Sequence, residues 1–210
     1  RRVFRLSRSL RCCHKPAQSL GDGSWPHRLG FASSHGRPEE SFYQTSCLGI
    51  CEWSQPTLDQ NGDSVTQKDF EGKVYVANFF FATCPDVCPR MNRNLHMVYE
   101  KFKKEPLLKF ISHTVHPEHD SIPVLAEYAS KLQVDGDKWH FVTGRKKDIY
   151  TIAEESYKAV TVEGDKPANF IHSDKLILVD KEKHIRGIYD SQDYKEILRL
   201  QDDIIIVLKE

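Results

Sequence analysis

The run Val74–Phe81 (VYVANFFF) is a nearly continuous stretch of β-branched and aromatic residues, interrupted only by Asn78. It follows Gly72 and stops just short of a Cys-Pro pair. A short unbroken apolar run bounded in this way is expected to be a strand buried on both faces, since a strand with one wet face alternates. Two cysteines follow at once, in Thr83-Cys84-Pro85-Asp86-Val87-Cys88-Pro89. Met91, Leu95, Val98 and Phe102 then recur at steps of 4, 3 and 4, which makes one apolar face of a helix over 91–104. Pro89 falls near the start of that helix, where a missing N–H costs little. A buried strand that runs through a cysteine pair into an amphipathic helix constrains this chain more than any other feature.

The remaining segments fit around that unit. Leu58 to Gln67 reads as a hairpin about Asn61-Gly62, a strong turn dipeptide. Strands are expected over Leu107–Thr114, Trp139–Thr143, Leu176–Asp180 and Ile185–Tyr189. Helices are expected over Ser121–Leu132, Asp148–Ser156 and Tyr194–Leu208. Strands alternating with helices, then a hairpin and a last helix, predict an α/β sandwich with a mixed central sheet flanked by helices. Paired cysteines where a strand meets a helix N-terminus make the arrangement thioredoxin-like by analogy.

Charge divides the chain in two. The 30 Lys and Arg balance the 30 Asp and Glu. Residues 1–40, however, carry eight basic and three acidic side chains, and 41–210 carry 22 and 27. The main body is therefore mildly acidic, which argues against nucleic acid as a partner. The basic end is rich in Arg, Ser, Gly and His without apolar periodicity. Residues 1–55 are expected to be an unstructured leader, either transit-like or foreign to the native chain, and 56–210 the folded domain. No stretch reaches the roughly 18–20 apolar residues that cross a bilayer.

Cys84 and Cys88 stand four residues apart, so both can face one side of a helical turn. The orphan N–H groups and positive end of a helix favour thiolate, which is both nucleophile and metal ligand. Three chemistries compete with a pair of inert core cysteines. Dithiol–disulfide exchange is possible, with one residue more than the C-x-x-C spacing of thioredoxins. Peroxide reduction is disfavoured, because Phe81 occupies the position where peroxiredoxins carry Thr. Soft-metal capture needs a third donor, for which a neutral imidazole suffices. His172 precedes the strand Leu176–Asp180, in a loop that can approach the strand end bearing the cysteines. From the residues alone, a ligand and an ordinary loop histidine both remain open there.

Other candidates are weaker. Cys47 and Cys51 repeat the C-x-x-x-C spacing without the prolines, and Cys12-Cys13-His14 lies in the leader. His113, His116 and His119 recur every third residue, as an auxiliary copper or zinc site or as a solvated loop. Pro117 prevents a regular helix from aligning all three. Asp86 can tune the thiols or help cap the helix. His96, His140 and His184 are expected on an exposed helix face, in a strand and in a turn.

The segment Phe79–Pro89 (FFFATCPDVCP) resembles the signature of the Sco/SenC proteins, thioredoxin-like copper chaperones of cytochrome c oxidase assembly. The likeness continues through Phe110–Asp120, WHFVTG at Trp139–Gly144 and HSDKLILVD at His172–Asp180. It implies a metal site of Cys84, Cys88 and His172 for one copper ion, as Cu(I) or Cu(II). The implied activity is delivery of copper to the binuclear copper site of cytochrome c oxidase subunit II, or reduction of the cysteines there. A thiol–disulfide oxidoreductase with Cys84 and Cys88 as its redox dithiol, or a redox or copper sensor, is the alternative on the same fold. The implied location is membrane-associated, on the periplasmic or mitochondrial intermembrane-space side. One departure is His116, which stands where the family usually has Asp; Asp120 is retained.

Overall fold

The structure, a computed structural model, describes residues 49–85, 87–157 and 174–210. A five-stranded sheet forms its centre, in the order β5-β4-β3-β6-β7. Strands β3 (Val74–Phe80), β4 (Leu108–Thr114) and β5 (Trp139–Val142) are parallel. β6 (Lys175–Val179) runs antiparallel to β3, and β7 (Ile185–Asp190) antiparallel to β6. A separate two-stranded hairpin pairs β1 (Thr57–Leu58) with β2 (Ser64–Val65), and its turn places Gly62 at φ 86°. The α-helices among the described residues are α1 (Val87–Phe102), α2 (Ile122–Leu132), α3 (Lys146–Thr151) and α4 (Tyr194–Lys209). The mixed sheet and its flanking helices are the sandwich expected from the sequence.

Every residue of β3 is buried because helices or loops cover both faces of the sheet. Val74, Val76 and Phe80 join Met91, Leu95 and Val98 of α1 and Ile197, Leu200 and Ile204 of α4 in one core. Tyr75, Ala77 and Phe79 point the other way, into a second core with Ile111, Ile152, Ala153 and Ile177. Each fully buried Val or Phe of the strand contributes about 1.5–3 kcal/mol of burial free energy. That covering, on both sides, is the physical reason the run could be continuous.

Three details differ from expectation. The helix after the cysteines starts at Val87 rather than Met91, so Cys88 and Pro89 lie inside its first turn. The helix expected at 148–156 starts at Lys146 and ends in a π-helical turn over Ile152–Ser156. The packed body also begins before residue 56. Cys51 N–H donates to the Lys183 carbonyl at 2.7 Å and Ile185 N–H to the Gly49 carbonyl at 2.9 Å. Cys51 and Trp53 are buried in the second core.

Candidate metal centre

The end of β3 and the start of α1 deliver the two cysteines to one place. After Phe80 the chain makes a tight turn, closed by Cys84 N–H donating to the Phe81 carbonyl at 3.2 Å. Helix α1 begins three residues after Cys84, and Cys88 lies in its first turn. Backbone N–H groups of a first helical turn have no partner within the helix. The Cys88 N–H finds one in the Cys84 sulfur, 3.4 Å away. Neither cysteine is in a disulfide; Cys84 is partly exposed and Cys88 is buried.

The loop is tied to the neighbouring strand by a buried carboxylate. Asp120 Oδ2 accepts from Ala82 N–H at 3.0 Å and from the Thr114 hydroxyl at 2.5 Å. The other oxygen, Oδ1, is buried without a hydrogen-bond partner. Burial pushes the Cys88 thiol up to about 12, opposed by the Phe81 backbone and reinforced by the Cys84 sulfur and the Asp120 charge. Burial likewise pushes the Tyr128 phenol up to about 12, and the Asn92 amide that donates to it pulls the other way. At neutral pH Cys88 is therefore a thiol that must lose a proton before it acts as ligand or nucleophile.

A chain of buried side chains fixes α1 on the sheet behind the cysteines. Trp139 Nε1 donates to Ser112 Oγ at 2.9 Å, and Ser112 Oγ donates to Asn78 Oδ1 at 2.6 Å. Asn78 Nδ2 donates to Asn92 Oδ1 at 3.0 Å, and Asn92 Nδ2 to the Tyr128 hydroxyl at 2.9 Å. Asn78, which interrupts the apolar run of β3, is the hub of this chain. Neither Asn92 nor Tyr128 stands in a motif that marks it out in the sequence. Their signal was limited to polar atoms on otherwise apolar helix faces.

Of the expected site residues, the structure brings Cys84 and Cys88 together. His172, Asp86, Cys47, Cys12 and Cys13 lie outside the described residues. Cys51 is no exposed thiol: it is fully buried, it accepts a hydrogen bond from the Tyr75 hydroxyl at 3.4 Å, and burial pushes it to about 11. It packs in the second core, whereas Cys88 packs in the first. His96 stacks on Tyr99, with ring centres 5.6 Å apart. His140 is buried in β5 against Asp59 at 3.2 Å, and His184 lies beside Asp180 at 3.5 Å.

The three-histidine period resolves into two different environments. His113 lies within β4, not in a solvated loop. Its ring stacks on Phe79 at 5.2 Å, and neither ring nitrogen has a hydrogen-bond partner. Complete burial pushes it down to about 3, so it is neutral at any physiological pH. His116 and His119 lie beyond the strand, with ring centres 4.0 Å apart.

These features coincide with those of a known family. The SCO1/SenC family model matches residues 55–204. The SCO1 protein homolog of Bacillus subtilis is 28% identical over 134 residues, 63% of this chain and 69% of that protein. The solved structure of BsSco, described as a Sco-family cytochrome c oxidase assembly protein with a disulfide switch, superposes with a TM-score of 0.66 at 26% identity. That match covers 77% of this chain and 95% of BsSco. Arabidopsis thaliana ScoI, solved with copper bound, has the same fold, with a TM-score of 0.61 at 23% identity over 77% of this chain and 99% of that one. A thioredoxin-like mixed sheet, a cysteine pair at its strand-to-helix junction and a family match over most of the length together place this chain in the SCO1/SenC family.

Proposed function

We propose that this chain is a copper metallochaperone that delivers copper to, or reduces the cysteines of, the binuclear copper site of cytochrome c oxidase subunit II. The observation that carries the proposal is the convergence of two reduced cysteines, Cys84 and Cys88, at one strand-to-helix junction. Two thiolates and one imidazole form a donor set suited to copper, and His172 is assigned as the imidazole from the family resemblance. Copper here is cargo rather than a resident cofactor. A site with few soft ligands and a partly exposed sulfur permits ligand exchange with a partner, whereas a closed four-ligand site holds its metal.

No helix among the described residues is long and apolar enough to cross a membrane. The site of action follows the partner, on the periplasmic or mitochondrial intermembrane-space side of the membrane. The test is Cu(I) binding by the reduced protein under a competing chelator, with Cys84→Ser and His172→Ala as comparisons.

A thiol–disulfide reductase is the second reading, favoured by the same proximity of the sulfurs. Cys84, the more exposed, attacks a partner disulfide to form a mixed disulfide and release one partner thiolate. Cys88 then displaces the second partner sulfur. The partner gains two electrons and two protons, and this chain is left with a Cys84–Cys88 disulfide. Turnover of a partner disulfide that survives His172→Ala supports this reading over copper delivery.

A further inference from the structure

We infer a second metal site, for Cu(II), formed by His116 and His119 on the rim of the cysteine loop. The segment His116-Pro117-Glu118-His119 is a tight turn, in which His119 N–H and Asp120 N–H both donate to the His116 carbonyl at 3.0 Å. Proline at the second position of such a turn presets its backbone angle. The turn brings its first and fourth side chains together, so Pro117, which forbids a helix through all three histidines, is what pairs the last two. His116 is half-buried and His119 exposed, which leaves the pair accessible to an ion from solvent.

Ligand chemistry selects the metal, and the ring spacing allows it. An ion about 2.0 Å from one nitrogen of each imidazole lies about 3 Å from each ring centre. Two rings set at a right angle about that ion have centres about 4.4 Å apart, and two at a tetrahedral angle about 5 Å. The observed 4.0 Å is shorter than either, so the two rings need only open slightly about an ion. Cu(II) also binds imidazole most tightly of the common divalent ions. Glu118 turns away toward Lys146 Nζ at 3.4 Å. No three His, Cys, Asp or Glu side chains converge among the described residues. Among the described residues the two imidazoles are the donors, as expected of a weak, readily exchanged site.

The position relates this pair to the cysteine loop. Thr114 Oγ1 accepts from the His116 N–H at 3.0 Å and donates to Asp120, which also holds Ala82 of the cysteine loop. The His116 ring lies edge-on to Phe81, with centres 6.5 Å apart.

The site is tested where the first one is disabled. The full chain carrying Cys84→Ser, Cys88→Ser and His172→Ala is titrated with Cu(II) near neutral pH against glycine and followed by electron paramagnetic resonance. The expected result is one equivalent with two equatorial nitrogens. Its affinity falls at least tenfold with either His116→Ala or His119→Ala, because a two-imidazole chelate needs both. Thermal melts by circular dichroism, and the milder His119→Asn, check that the fold survives. Absence of bound Cu(II) in that background overturns the inference, as does an equivalent that both single alanine variants leave unchanged. Cu(I) binding by the wild-type dithiol is read separately and can fail or succeed independently.

Discussion

The side-chain amide of Asn78, in the middle of the central strand, donates to the side chain of Asn92 on the helix that carries Cys88, at 3.0 Å. Both residues are fully buried. Asn78→Ala leaves the Asn92 oxygen and the Ser112 hydroxyl without their partner, and a stranded buried polar group costs about 1–3 kcal/mol. The expected loss is about 2–4 kcal/mol by chemical denaturation. A variant as stable as wild type would show that the network does not hold α1 to the sheet.

His113 predicts an acid sensitivity with a definite sign. Its folded value of about 3 lies below the ordinary 6.5, so the unfolded chain takes up the proton first. The stabilisation from keeping the ring neutral is fully present above about pH 6.5 and is lost as pH falls from there toward 3, by about 1.4 kcal/mol per pH unit. His113→Phe keeps the stack on Phe79 and removes two unpartnered nitrogens. It is expected to raise stability at pH 7 by about 1–3 kcal/mol and to flatten the decline between pH 6 and 4. An unchanged pH profile in the variant contradicts the assignment.

The two cysteines should differ in reactivity. Cys84 is partly exposed, whereas Cys88 is buried with its thiol held near 12. Iodoacetamide near neutral pH is expected to label Cys84 at least about tenfold faster, since the thiolate is the reacting form. Peptide mass spectrometry over a time course reads the ratio. Equal rates would mean that Cys88 is neither shielded nor kept protonated.

Asp120 couples the cysteine loop to β4 through Ala82 and Thr114. Asp120→Ala removes both bonds and is expected to cost about 2–4 kcal/mol, because hydrogen bonds to a charged group are worth more than neutral ones. It should also speed amide exchange at Ala82 and Cys84. Unchanged exchange at Ala82 would dissociate the carboxylate from the loop.

How legible these features were in the sequence depends on the range of their cause. The run of β3 and the 4-3-4 spacing of α1 follow directly from burial, and both appear as expected. Helix α1 starts earlier than Met91: Cys88 continues its buried face one step of three back, but next to Pro89 a cysteine reads as loop chemistry rather than as core. Gly49–Trp53 carries only two buried side chains, Cys51 and Trp53, too few to show a pattern. The burial of His113 was readable in principle: strand alternation puts it on the same face as Ile111 and Val115. A period of three suggested one histidine cluster, yet strand and turn geometry separate its members. The Asn78 network was not readable, since its partners Ser112, Asn92 and Tyr128 are brought together only by tertiary packing.

The most direct test of the central claim is copper stoichiometry. The reduced full chain is titrated with Cu(I) against a competing chelator, alongside Cys84→Ser, Cys88→Ser and His172→Ala. The account predicts one tightly held Cu(I) in wild type, with affinity reduced at least about a hundredfold by loss of either thiolate and by a smaller factor on loss of the imidazole. Because Cys88 must give up its proton, wild-type affinity should rise by at least about tenfold per pH unit near neutrality. Stoichiometry and affinity unchanged in all three variants would contradict the assignment of Cys84, Cys88 and His172 as the copper site.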